Sequence, residues 1–66
     1  MIISDFTNPE LTYFRQHCNF TCEELNVFEL RSIGVSLEQI AVRLNLTIDK
    51  VKKISRKVNN KIIKVL

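Results

Sequence analysis

Residues 34–51 read Gly34-Val35-Ser36-Leu37-Glu38-Gln39-Ile40-Ala41-Val42-Arg43-Leu44-Asn45-Leu46-Thr47-Ile48-Asp49-Lys50-Val51, and two helix starts stand inside them only eleven residues apart. At each, a hydroxyl residue follows an apolar one, and a second apolar residue comes four positions later: Val35-Ser36 with Ile40, Leu46-Thr47 with Val51. A Ser or Thr hydroxyl accepts from the free N–H groups of a helix's first turn, and the flanking apolar pair staples the entry. Eleven residues hold one short helix and a tight turn. The same pattern occurs upstream at Phe20-Thr21 with Leu25. Glu24 and Gln39, each three residues after its cap, complete the spacing of a capping box, while Asp49 places a carboxylate at the positive end of the last helix.

Working outward, the chain reads as an all-α helix-turn-helix bundle of about four helices, at about 9–17, 22–33, 37–44 and 48–64. Asn8-Pro9 opens the first, with Asn8 as cap and Pro9 at the first helical position, and Leu11, Phe14 and Cys18 share one face. The second is expected to bury Leu25, Val27, Phe28, Leu30 and Ile33. Gly34 closes it, because glycine takes a left-handed conformation without a Cβ penalty. The third places Leu37, Ile40, Ala41 and Leu44 on one stripe and ends at Asn45. The fourth carries Val51, Ile54, Val58, Ile62 and Val65 at helical spacing, opposite Lys53, Arg56, Asn60 and Lys64. Residues 1–19 form an N-terminal extension with a short helix, and 20–66 the helix-turn-helix domain. Met1–Phe6 is compatible with either a packed arm or a frayed end.

Sixty-six residues allow one domain, and a 45% apolar content with one Gly and one Pro suits a compact helical one. No apolar run approaches the roughly 20 residues of a membrane span, and no secretory signal is evident. A cytoplasmic protein is expected, with two cysteines too sparse for a disulfide framework. Charge is segregated. Residues 1–49 hold three basic and seven acidic side chains, whereas 50–66 hold seven basic and no acidic ones, so the net +3 conceals a basic last helix. Such polarity points to an anionic partner, against the plainer reading of a solvated lysine-rich helix end.

From Phe20 to Val65, about two thirds of the chain, the sequence resembles the LuxR-type helix-turn-helix of bacterial transcription regulators and the related fourth region of sigma factors. The resemblance rests on Phe20-Thr21, Glu24, Val27-Phe28 and Leu30, and above all on Gly34-Val35-Ser36, Gln39-Ile40-Ala41, Leu44, Leu46-Thr47 and Val51-Lys52. The chain departs from the pattern at Lys50, where the family usually has Thr, and at Lys53-Ile54, near where it often has His. The family's closing helix has no counterpart after the fourth helix, and an extension precedes the domain instead.

What the resemblance implies is a sequence-specific regulator of bacterial or mobile-element type whose helix 48–60 lies in the major groove of double-stranded DNA while the preceding helix crosses the backbone. Lys52, Lys53 and Arg56 are the candidates for base edges, as donors matching guanine's two acceptors. Thr47, Lys50, Lys57 and the N–H groups behind Ser36 are candidates for phosphate. Gln39 and Arg43 are additional candidates. The alternative is a sigma-like module docking on RNA polymerase or another transcription protein. Ile63 and Leu66 are expected to form a homodimer interface, since paired half-sites lengthen the recognised sequence.

No enzyme is expected: one Gly excludes a glycine-rich phosphate loop, and Glu23-Glu24 suits a helix N-terminus better than an acid/base pair. His17, Cys18 and Cys22 fall short of the four ligands of a structural metal site, so Cys18 and Cys22 are read as small apolar packers and no cofactor is expected. No small-molecule effector is evident either.

Overall fold

The computed structural model describes residues 3–66 and contains a short 3-10 turn at Ile3–Asp5 followed by four helices. These are α1 (Asn8–His17), α2 (Cys22–Ser32), α3 (Leu37–Leu44) and α4 (Ile48–Val65). There is no strand among the described residues.

Caps explain where each helix begins. Thr21, Ser36 and Thr47 all have extended backbone, and their hydroxyls accept from the N–H groups of Glu24 (3.3 Å), Gln39 (3.3 Å) and Lys50 (3.2 Å). At α2 the box is complete, because the Glu24 carboxylate accepts the Thr21 N–H at 3.0 Å. At Ser36 only the hydroxyl half is formed, since the neutral Gln39 amide is a weaker acceptor than a carboxylate. The expected cap of α1 is corrected. Thr7, not Asn8, is the N-cap, and Asn8 and Pro9 are the first helical residues. The reason is the Thr7…Glu10 spacing: the Glu10 carboxylate accepts from the Thr7 N–H (2.9 Å) and hydroxyl (3.0 Å), and the first of these bonds holds its pKa below the ordinary value.

Helix ends follow from two left-handed residues. Gly34 (φ 85°) closes α2, with Val35 N–H donating to Leu30 C=O (3.1 Å) and Gly34 N–H to Arg31 C=O (3.0 Å). Asn45 (φ 55°) closes α3 in the same way, with Leu46 N–H donating to Ala41 C=O (2.9 Å) and Asn45 N–H to Val42 C=O (3.3 Å). Both are Schellman closures. They make the connections on either side of α3 short and direct.

The core contains Ile3, Leu11, Phe14 and Cys18 from the first nineteen residues together with Val27, Phe28, Ile40, Ala41, Val51, Ile54, Val58 and Ile62. α4 is its spine, packed chiefly on α2, then α3, and touching α1 near its far end. The apolar stripe expected on α4 is buried from Val51 through Ile62, with Val65 partly so. Of the alternatives for the N-terminal arm, packing holds over Ile3–Phe6: Ile3 is buried and Phe6 meets the edge of Phe14 at 4.9 Å. Met1 and Ile2 lie outside the described residues.

Three expected core residues are on the surface. Leu25 is exposed because Phe20, its staple partner in the sequence pattern, stacks on Phe28 at 5.0 Å instead. Ile33, 71% exposed, falls just after α2, where the helical register has already ended at Ser32. Cys22 begins α2 on the side away from buried Val27 and Phe28, so of the two cysteines only Cys18 packs in the core.

Candidate nucleic-acid interface

Burial of one side of α4 dictates what the other side presents. With Val51, Ile54, Ser55, Val58 and Ile62 turned inward, Lys50, Lys52, Lys53, Arg56 and Lys57 are all exposed, along with Asp49 and Asn60. Helical spacing places Lys52 beside Arg56, and Lys53 beside both Arg56 and Lys57. These are like charges on neighbouring turns. Each such pair costs a few tenths of a kcal/mol relative to a neutral one, and Asp49 alone offsets them, with Lys52 and Lys53 at i+3 and i+4 from it.

The seven basic residues of α4 divide into two sets. Lys61 is structural: its ammonium donates to Glu24 on α2 and to the carbonyl oxygen of Asn19 (3.2 Å). Glu24 is only 6% exposed, and the Lys61 ammonium, followed by the Thr21 N–H, holds its carboxyl below the ordinary range against the opposing effect of burial. Lys50 reaches Glu23 at 3.7 Å, with both side chains half exposed. Among the described residues, Lys52, Lys53, Arg56, Lys57 and Lys64 have no acidic partner within 4.0 Å. The free positive charge therefore lies on the outward face.

The turn before α4 supplies the remaining candidates. Thr47, Ser36 and Gln39 are exposed, the first two as the caps of α4 and α3, and Arg43 is exposed in the last turn of α3. Because α3 packs on α4, these residues and the α4 bases are carried by two helices in direct contact. The other groups weighed in the sequence do not converge: Cys18 is buried, Cys22 exposed, and His17 lies against the Tyr13 ring at 4.3 Å. No set of three or more His, Cys, Asp or Glu side chains among the described residues could hold a metal ion.

Two features escaped the sequence reading. The Glu24–Lys61 pair spans 37 positions, and nothing local in either residue announces the other. Arg31 has its Nε buried without a hydrogen-bond partner, beside a cavity of about 160 Å³ lined also by Ile3, Ser4, Gly34, Val35 and Ser36. Its position four residues after Val27, on the buried side of α2, is the one local signal for that burial.

No helix among the described residues is long and apolar enough to cross a membrane. Comparison with protein-family models, curated proteins and solved structures gives no match.

Proposed function

We propose that this is a cytoplasmic, sequence-specific double-stranded DNA-binding regulator of transcription that lays α4 in the major groove. The observation that carries the reading is the set of five unpaired bases on the outward face of an amphipathic helix introduced by the tight α3–α4 turn. Lys52, Lys53, Arg56 and Lys57 repel one another on adjacent turns with Asp49 alone to offset them, so a polyanionic partner is the economical account of them. The resemblance of residues 20–65 to LuxR-type domains supports the same reading.

Each residue then has a role. Lys52, Lys53 and Arg56, toward the start of the exposed stripe, donate to base edges, guanine O6 and N7 above all. Lys57, Lys50, Thr47 and the free N–H groups of the α3 N-terminus behind Ser36 hold phosphate oxygens and set the register. Gln39 and Arg43 add contacts from α3. Lys50 exchanges its loose partner Glu23 for phosphate at little cost, since an exposed ion pair contributes at most about 1 kcal/mol.

The test is fluorescence anisotropy against random-sequence duplex over a range of salt, followed by selection from a random pool. The reading requires a log affinity that falls linearly with log salt, an enriched motif, and loss of binding by Lys53→Glu and Arg56→Glu proteins of unchanged helicity. Absence of binding at low salt would overturn it in favour of docking on an acidic protein surface.

A further inference from the structure

At the far end of α4, opposite the turn that introduces it, the side chains of Ile63, Lys64 and Leu66 are exposed. Lys61, one turn back from Lys64, is engaged inside the molecule by Glu24 and the Asn19 carbonyl. Lys64 has no acidic partner within 4.0 Å among the described residues. It follows Lys53 by eleven residues and Lys57 by seven, which at about 3.6 residues per turn sets it within about 20° of both around the helix axis. Lys64 therefore continues the line of outward bases, away from buried Ile62. The place is fixed by the same core that fixes the start of the helix: α4 runs unbroken from Ile48 to Val65, with Val51 and Ile62 both fully buried.

We infer that Lys64 is a further phosphate contact, made where the far end of α4 overhangs the DNA backbone, beyond the phosphates assigned to Thr47, Lys50 and Lys57. The inference rests on the DNA reading proposed above and deepens it by the reach of the helix. Lys64 follows the centre of Lys52, Lys53 and Arg56 by about ten residues, or about 15 Å. The major groove is about 12 Å wide and winds away beneath a straight helix, so a residue at that distance has left the base edges and stands by the bordering strand. Lysine suits this position, since a compact charge on a flexible stem finds a phosphate oxygen without the fixed geometry that a base edge demands. A lysine in the last turn also suits the negative end of its own helix. That second role bears on stability alone, and the salt dependence of binding separates the two.

The test is fluorescence anisotropy against random-sequence duplex over a range of salt, with the parent and with Lys57→Met, Lys61→Met and Lys64→Met proteins of equal helicity. Lys64→Met should lower the slope of log affinity against log salt by about 0.9, as Lys57→Met does, whereas Lys61→Met, which removes an internally engaged charge, should stay near the parent. On duplex of the selected sequence, a single neutral methylphosphonate linkage is then moved along each strand. One linkage at the edge of the motif should weaken the parent and leave Lys64→Met unchanged, which locates the phosphate. A parental slope for Lys64→Met beside a reduced slope for Lys57→Met overturns this contact and spares the DNA reading. So does a scan in which every linkage affects the two proteins equally. A parent that binds no duplex at low salt overturns both.

Discussion

The ammonium of Lys61 joins Glu24 across the α2–α4 interface while Glu24 also closes the capping box of α2, so one carboxylate fixes both where α2 begins and where α4 lies against it. Replacing Lys61 with Met should lower stability by about 1–2 kcal/mol, because the largely buried Glu24 carboxylate then keeps only the bond it accepts from the Thr21 N–H. Urea unfolding measures this. In a DNA-binding titration the same variant should retain nearly the full salt slope, whereas Lys57→Met, equal in charge change but at a proposed phosphate contact, should reduce the slope by about one.

Acid should weaken the fold through the same residue. The Glu24 carboxyl in the folded chain titrates below the 4.5 of a free one, so the unfolded chain takes up the proton first. Its contribution is therefore complete above about pH 4.5, and it is lost as pH falls through the lower, folded value. Glu10, lowered by the Thr7 N–H, acts in the same direction. Urea midpoints at about pH 7 and about pH 3 should differ for the parent and differ less for Glu24→Gln.

The two left-handed closures should respond oppositely to substitution. A Cβ on Gly34 meets nothing within 4 Å, so Gly34→Ala carries only the backbone penalty of φ 85°, about 1 kcal/mol. Asn45→Gly relieves a residue already held at φ 55° and should leave stability unchanged or slightly raised. Thermal melts of the two variants give the comparison.

The arm before α1 belongs to the core. Ile3→Ala should cost about 2–3 kcal/mol, a value reserved for buried aliphatic residues and several times that of a change in a frayed end. Equal melting of variant and parent would show that Ile3 contributes no packing.

Much of the fold was legible because its signals are local. Ser36, Thr47, Gly34 and Asn45 each act within one turn of the chain, and the α4 stripe declares its own periodicity. The misreadings share another origin. Leu25 and Ile33 are apolar residues near the right spacing whose fate depended on Phe20 choosing Phe28 and on α2 stopping at Ser32. At the candidate interface, the sequence separated the bases from the acids but could not divide them by task. Lys61 differs from Lys57 only in what stands opposite it, and that is decided by the packing of α2.

Contact between α1 and α4 also sets an order of events during synthesis. The first helix leaves the ribosome long before its partner, so Leu11 and Phe14 wait with an open flank until the turn carrying Ile62 has emerged. A chain made only as far as Asn60 therefore carries its basic turns on α2 and α3 while one flank of its core is still open.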